Sequence, residues 1–224
     1  MEEKVYNEGL RRLDKNIKLL KQIKTNIKQI DKKYKNNFIH VSQTKLTLDN
    51  LFNTNNQKET RYGGNNYVYF NPEGLWISCG SSWYKYLVSE NEYFMDWLNF
   101  KYTYDIEIDK TNVLHIKTLK GLIKFHYKYI NKNDYHILNW NKIKDKYDGL
   151  IICPFLGYKI WKKYQPDLHI HKNTTKYINQ SIGKNLKKYP SFFLEWYRHW
   201  EAGTGVIWKK NAVKKFNLIK FNKI

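Results

Sequence analysis

Apolar residues recur along the first 36 positions at intervals that only a helix brings onto one face. Tyr6, Leu10, Leu13, Ile17 and Leu20 follow a four-three alternation, and Ile23, Ile27, Ile30 and Tyr34 resume it. Between Leu20 and Ile23 the interval of three repeats, a phase shift of the stammer type. An amphipathic helix over residues 1–36 follows, and its stripe needs a cover. The expected cover is the chain's own domain; self-association through residues 1–36 is the alternative.

Asn36-Asn37 ends that pattern, and the spacing turns to short strands. Phe38-Ile39-His40-Val41 reads as one, Tyr67–Phe70 as another, and Leu75-Trp76-Ile77-Ser78 as a third after the turn-like Asn71-Pro72-Glu73-Gly74. Ser82 is the expected N-cap of a helix to about Glu90, and a second short helix is expected around Phe94, Trp97 and Leu98. Alternation from Tyr102 to Ile108 and the run Val113–Ile116 give two more strands, and Leu119–Tyr129 has helical spacing. Leu150–Cys153 is a buried strand stopped by Pro154, Phe192–Trp200 a helix with its rings on one face, and Val206–Trp208 a last strand. No βαβ period organises them. The pattern fits an α+β domain over residues 37–224 with a mainly antiparallel sheet and a basic C-terminal tail.

The 224 residues carry 40 Lys+Arg against 20 Asp+Glu, a formal net charge of +20. Residues 1–37 hold 11 basic and 5 acidic side chains, so the remainder holds 29 against 15 and the excess is spread through the chain. Such a field favours polyanions: nucleic acid, nucleotides or an anionic membrane face. A/T-rich genome composition is the competing source, since Lys, Asn, Ile and Tyr are all abundant. Aromatic residues at 17% exclude a disordered chain, because rings in that number need a core or a stacking surface.

No apolar run approaches the ~18 residues that span a bilayer, and the N-terminus lacks the apolar core of a signal peptide. Cys79 and Cys153 stand apart without metal-ligand spacing, and are expected as buried free thiols. These features predict an intracellular protein, cytoplasmic, nuclear or packaged in a particle, not secreted and not membrane-bound. Asp167-Leu168-His169-Ile170-His171 puts two histidines on one strand face, but without a third ligand it makes no metal site.

The segment Asn71-Pro72-Glu73-Gly74-Leu75-Trp76-Ile77-Ser78-Cys79-Gly80-Ser81-Ser82-Trp83-Tyr84-Lys85-Tyr86 resembles the second motif of the ADP-ribosyltransferase superfamily, particularly its poly-ADP-ribose polymerase branch. The resemblance implies a split, mainly antiparallel sheet and NAD as cofactor, with the strand edge bonding the nicotinamide amide and rings sandwiching its flat face. It assigns Gly74 to the backbone position, Trp76 to the strand aromatic, Ser82 to the serine and Tyr86 to the stacking ring. Phe38-Ile39-His40-Val41-Ser42 resembles the first motif, with His40 holding the ribose hydroxyls, and Arg61 suits the pyrophosphate. The third motif's acid is missing from Leu150–Cys153; Glu201 and Asp148 are the available substitutes, Glu201 the one assigned to catalysis. The combination of Gly-Leu-Trp, Tyr-Asp-Gly and Trp-acid-x-Gly-x-Gly-x-x-Trp is also similar to proteins without an assigned function in bacteria and large DNA viruses.

Each position has a plainer reading. His40 can be a satisfied rim histidine, Trp76 and Trp208 core rings, Glu201 a helix-face partner of Arg198, and Arg61-Tyr62-Gly63-Gly64 a turn. Three functions therefore stand after the sequence: an ADP-ribosyltransferase-like domain, active or degenerate; a non-enzymatic nucleic-acid-binding or packaging protein using the run Lys209–Phe216; and a self-associating structural protein.

Overall fold

The computed structural model describes residues 2–52, 72–89, 100–131, 138–156, 194–198, 200 and 202–221. The helix α1 spans Glu2–Lys33. From Leu19 onward its stripe is occupied by the chain's own domain: Ile23 and Ile30 are buried and Leu19, Leu20, Ile27 and Tyr34 pack beside them, against Ile39, Tyr84 and Leu87. Ile17 lies off this seam and is 42% exposed, which is the outcome of the phase shift read between Leu20 and Ile23.

Beyond α1 run β1 (Phe38–Ser42), α2 (Leu48–Phe52), β2 (Leu75–Cys79) and α3 (Ser82–Ser89). Then follow β3 (Tyr102–Ile108), β4 (Val113–Ile116), α4 (Leu119–Tyr129), α5 (Trp140–Lys146) and β5 (Gly149–Ile152). The chain closes with α6 (Glu195–Arg198), β6 (Thr204–Ile207), a 3₁₀ turn at Lys210–Ala212, and β7 (Val213–Leu218). The strand expected at Tyr67–Phe70, the helix around Phe94–Leu98 and the two histidines His169 and His171 lie outside the described residues.

All seven strands join one sheet in the order β4-β5-β6-β2-β1-β3-β7. Only β4 and β5 are parallel; the other neighbours are antiparallel. The parallel pair needs a crossover, which α4 and α5 supply. The sheet is therefore mixed and continuous where a split was expected, and its narrowest join is β1 to β2, with two register pairs, Phe38↔Cys79 and Ile39↔Ser78. The basic run after Trp208 is not a loose tail: Val213–Leu218 is the strand that pairs with β3.

Strand alternation sorts the core by face. Ile39, Trp76, Val206, Leu150 and Ile152 share one face, covered by α1 and α3 at one end and by α4, α5 and α6 at the other. Phe38, Leu75, Ile77, Tyr104, Ile106, Ile151 and Ile207 share the opposite face, under Leu48, Leu51 and Phe52 of α2. Gly205 lies between them at the sheet centre, where a Cβ would fall 2.8 Å from Ile151 Cγ1 and 2.9 Å from the Leu150 carbonyl.

Cys79 and Cys153 correct the free-thiol expectation. The register that aligns Ser78, Thr204 and Ile152 places both cysteines beside Gly203, and they form a disulfide with their Cα atoms 6.3 Å apart. Spacing along the sequence hid it, because the pair is 74 residues apart and meets only through β6. Disulfides persist in oxidising surroundings, so this pair no longer supports an intracellular setting. Among the described residues no helix is long and apolar enough to cross a membrane.

Candidate functional site

The two segments that resemble superfamily motifs lie on adjacent strands, β1 and β2; the late strand Leu150–Cys153, which lacks the third motif's acid, is β5 and is separated from β2 by β6. At Ile39↔Ser78 the β1–β2 ladder ends, while β1 continues its pairing with β3 as far as Ser42↔Tyr102. The two strands thus part just beyond Ile39, and His40 is the first residue past the fork.

At the fork a side chain replaces the missing ladder bond. The Nδ1 of His40 donates to the Trp76 carbonyl over 2.7 Å. A carbonyl only accepts, so the proton is on Nδ1 and Nε2 keeps its lone pair. Burial holds the imidazole below its ordinary pKa, and the bond to Trp76 only partly offsets this. His40 is therefore a neutral acceptor near pH 7. Its ring is flanked by Tyr104 at 6.2 Å and Phe216 at 6.4 Å, which stack on each other at 4.3 Å.

The β2 backbone adds a donor. The Cys79 N–H bonds Gly203 on the β6 side, so alternation turns the Trp76 N–H and C=O toward β1, into the fork. A neutral imidazole acceptor and an outward strand edge together suit a ligand carrying both hydroxyl and amide groups.

The rings assigned by resemblance are used differently. Trp76 points to the face opposite His40, contacts Trp200 edge-on at 5.0 Å and donates Nε1 to the Pro72 carbonyl. It is a half-buried ring packed against the core, and its backbone, not its indole, meets His40. Tyr86 packs with Trp83 at 5.4 Å in the cluster of Ile39 and Val41, again away from His40. Gly74 has φ +150°, and a Cβ there would lie 2.6 Å from the Ile207 carbonyl, so β6 demands this glycine whatever the site does.

Ser82 does not cap α3. Its hydroxyl donates to the Gly203 carbonyl over 2.6 Å, and the same oxygen receives the Cys79 N–H at 2.8 Å. Arg61 and Glu201 lie outside the described residues, but the neighbours of Glu201 are placed. Trp200 packs on Trp76, and the Gly203 carbonyl is bonded to β2 and α3. Asp148, the other acid considered, is paired with Lys209 at 2.9 Å. Among the described residues no three His, Cys, Asp or Glu side chains gather as a metal site.

Sequence reasoning missed Tyr104, Phe216 and the disulfide. Nothing local marks them: Phe216 reaches His40 only because β7 pairs with β3 and β3 with β1. Comparison with protein-family models, with curated proteins and with solved structures finds no match.

Proposed function

We propose that the chain is an ADP-ribosyltransferase-like domain, active or degenerate, that binds NAD or a related nucleotide at the fork between β1 and β2. The observation that carries the reading is the adjacency of β1 and β2, the strands of the two motif-like segments, with His40 at the point of parting. There the Nε2 lone pair suits a ribose hydroxyl, and the Trp76 N–H suits a carboxamide oxygen. Arg61 is assigned to the pyrophosphate and Glu201 to the ribose in the charged transition state, as the resemblance implies. Gly74 and Ser82 support the site from behind, by keeping β6 and its preceding turn against β2. An intracellular or particle-borne setting belongs to this proposal, since NAD is an intracellular metabolite.

Thermal unfolding with and without NAD or nicotinamide tests the proposal. A ligand at 100 times its Kd stabilises a folded protein by ~2.7 kcal/mol. NAD should raise the Tm of the wild type and not that of His40→Asn, whose amide can still donate to Trp76. An equal rise in both proteins, or none in either, rejects the site.

A further inference from the structure

The sequence advertises its C-terminal lysines as the polyanion contact, but the structure spends them internally. Lys209 pairs with Asp148, Lys210 with Asp49, Lys214 with Asp109 and Lys215 with Glu107. The unpaired positive charge lies elsewhere. On α4 and the residue pair before it, Lys117, Lys120, Lys124 and Lys128 are all exposed, and none has an ion pair among the described residues. Lys120, Lys124 and Lys128, four residues apart, lie on the side of α4 opposite Leu122, Ile123, Phe125, His126 and Tyr129, which are buried, and Lys117 stands just before the N-cap Thr118. Residues 110–133 contain no Asp or Glu.

A second row runs along α1. Lys21, Lys24, Lys28 and Lys32 are exposed, opposite the buried Ile23 and Ile30. Both helices cover the same face of the sheet, and each turns its apolar side to that face. Their outer rows therefore look away from the sheet on the same side of the molecule.

We propose that this side, with the α4 row at its centre, binds the sugar-phosphate backbone of a nucleic-acid duplex without reading its sequence. Charge complementarity selects the partner. Lysines three or four residues apart rise ~4.5–6 Å along a helix, and a duplex offers a negative charge every ~1.7 Å of its axis, so each flexible arm finds a phosphate. A membrane fits less well. Interfacial helices insert apolar residues, and the exposed large apolar side chains among the described residues are Ile17 and Leu218 alone. The inference is independent of the NAD site.

The test is fluorescence anisotropy of a labelled random-sequence DNA duplex, titrated with the full chain at several salt concentrations. Two variants remove equal charge: Lys→Gln at positions 117, 120, 124 and 128, and Lys→Gln at 209, 210, 214 and 215. All eight side chains are solvent-facing, and circular dichroism verifies that both variants fold. With four phosphate-binding ammonium groups removed, the slope of log K against log salt should shrink by about 3.6 in the α4 variant, and by much less in the other. Three results overturn the proposal: no duplex binding at low salt, equal losses in the two variants, or tighter binding to anionic vesicles or polyglutamate than to DNA. Equal losses would mark the charge as a general property of base composition.

Discussion

His126 gives the fold a calculable acid sensitivity. It lies on α4 and is 1% exposed, and its Nδ1 accepts the indole N–H of Trp196 over 3.2 Å. An indole can only donate, so the native imidazole is neutral with its proton on Nε2. Protonation would place a second donor against the first inside an apolar cluster. Burial accordingly pushes the His126 pKa from 6.5 down to about 4. The unfolded chain binds the proton more readily than the folded one, so the contribution is full above pH 6.5 and is lost as pH falls toward 4. At pH 4.5 that loss is about 2 to 3 kcal/mol, counting 1.36 kcal/mol per unit of separation. His40 and His115 are shifted the same way by burial, so the wild-type slope contains their shares too. His126→Asn separates them, since its amide oxygen can still accept from Trp196. Urea unfolding at pH 7.5 and 4.5 should show the wild type losing 2 to 3 kcal/mol more than the variant. Equal losses would refute the buried, neutral histidine.

The remaining expectations concern the scaffold. The unreduced native protein should yield no thiol to an aromatic disulfide reagent, and two after unfolding and reduction; Cys79→Ser with Cys153→Ser should cost up to ~4 kcal/mol, given a closed loop of 74 residues. Two reactive thiols in the unreduced chain would contradict the pairing. Ile30→Ala removes a fully buried contact of α1 and should destabilise by ~2–5 kcal/mol in urea, whereas a near-neutral effect would mean that α1 does not dock on its own domain.

Local periodicity carried most of the elements into view. The strands at Phe38, Leu75, Tyr102 and Val113 and the helices at Glu2 and Leu119 all lie where alternation or a 3.6 spacing put them. Long-range pairing was not legible. The basic residues after Trp208 read as a free tail because their carboxylate partners, Asp49, Glu107, Asp109 and Asp148, are brought in only by the folded chain. The same reason hid the disulfide, which depends on β6 aligning Cys79 with Cys153. At the candidate site the resemblance credited Trp76 with its ring. The indole packs half-buried against the core on the opposite face, and only the register reveals that the Trp76 carbonyl meets His40. Ser82 was misjudged similarly: a serine opening a helix reads as a cap, while its hydroxyl goes to a carbonyl 121 residues away.

Histidine nitrogen NMR addresses the fork directly, because it reports each ring nitrogen separately. On ¹⁵N-labelled protein near pH 7.5, His40 should give a protonated Nδ1 and a bare Nε2, and adding NAD should perturb the Nε2 signal most. A proton found on Nε2, or a His40 spectrum indifferent to NAD, would contradict the binding site at the parting of β1 and β2.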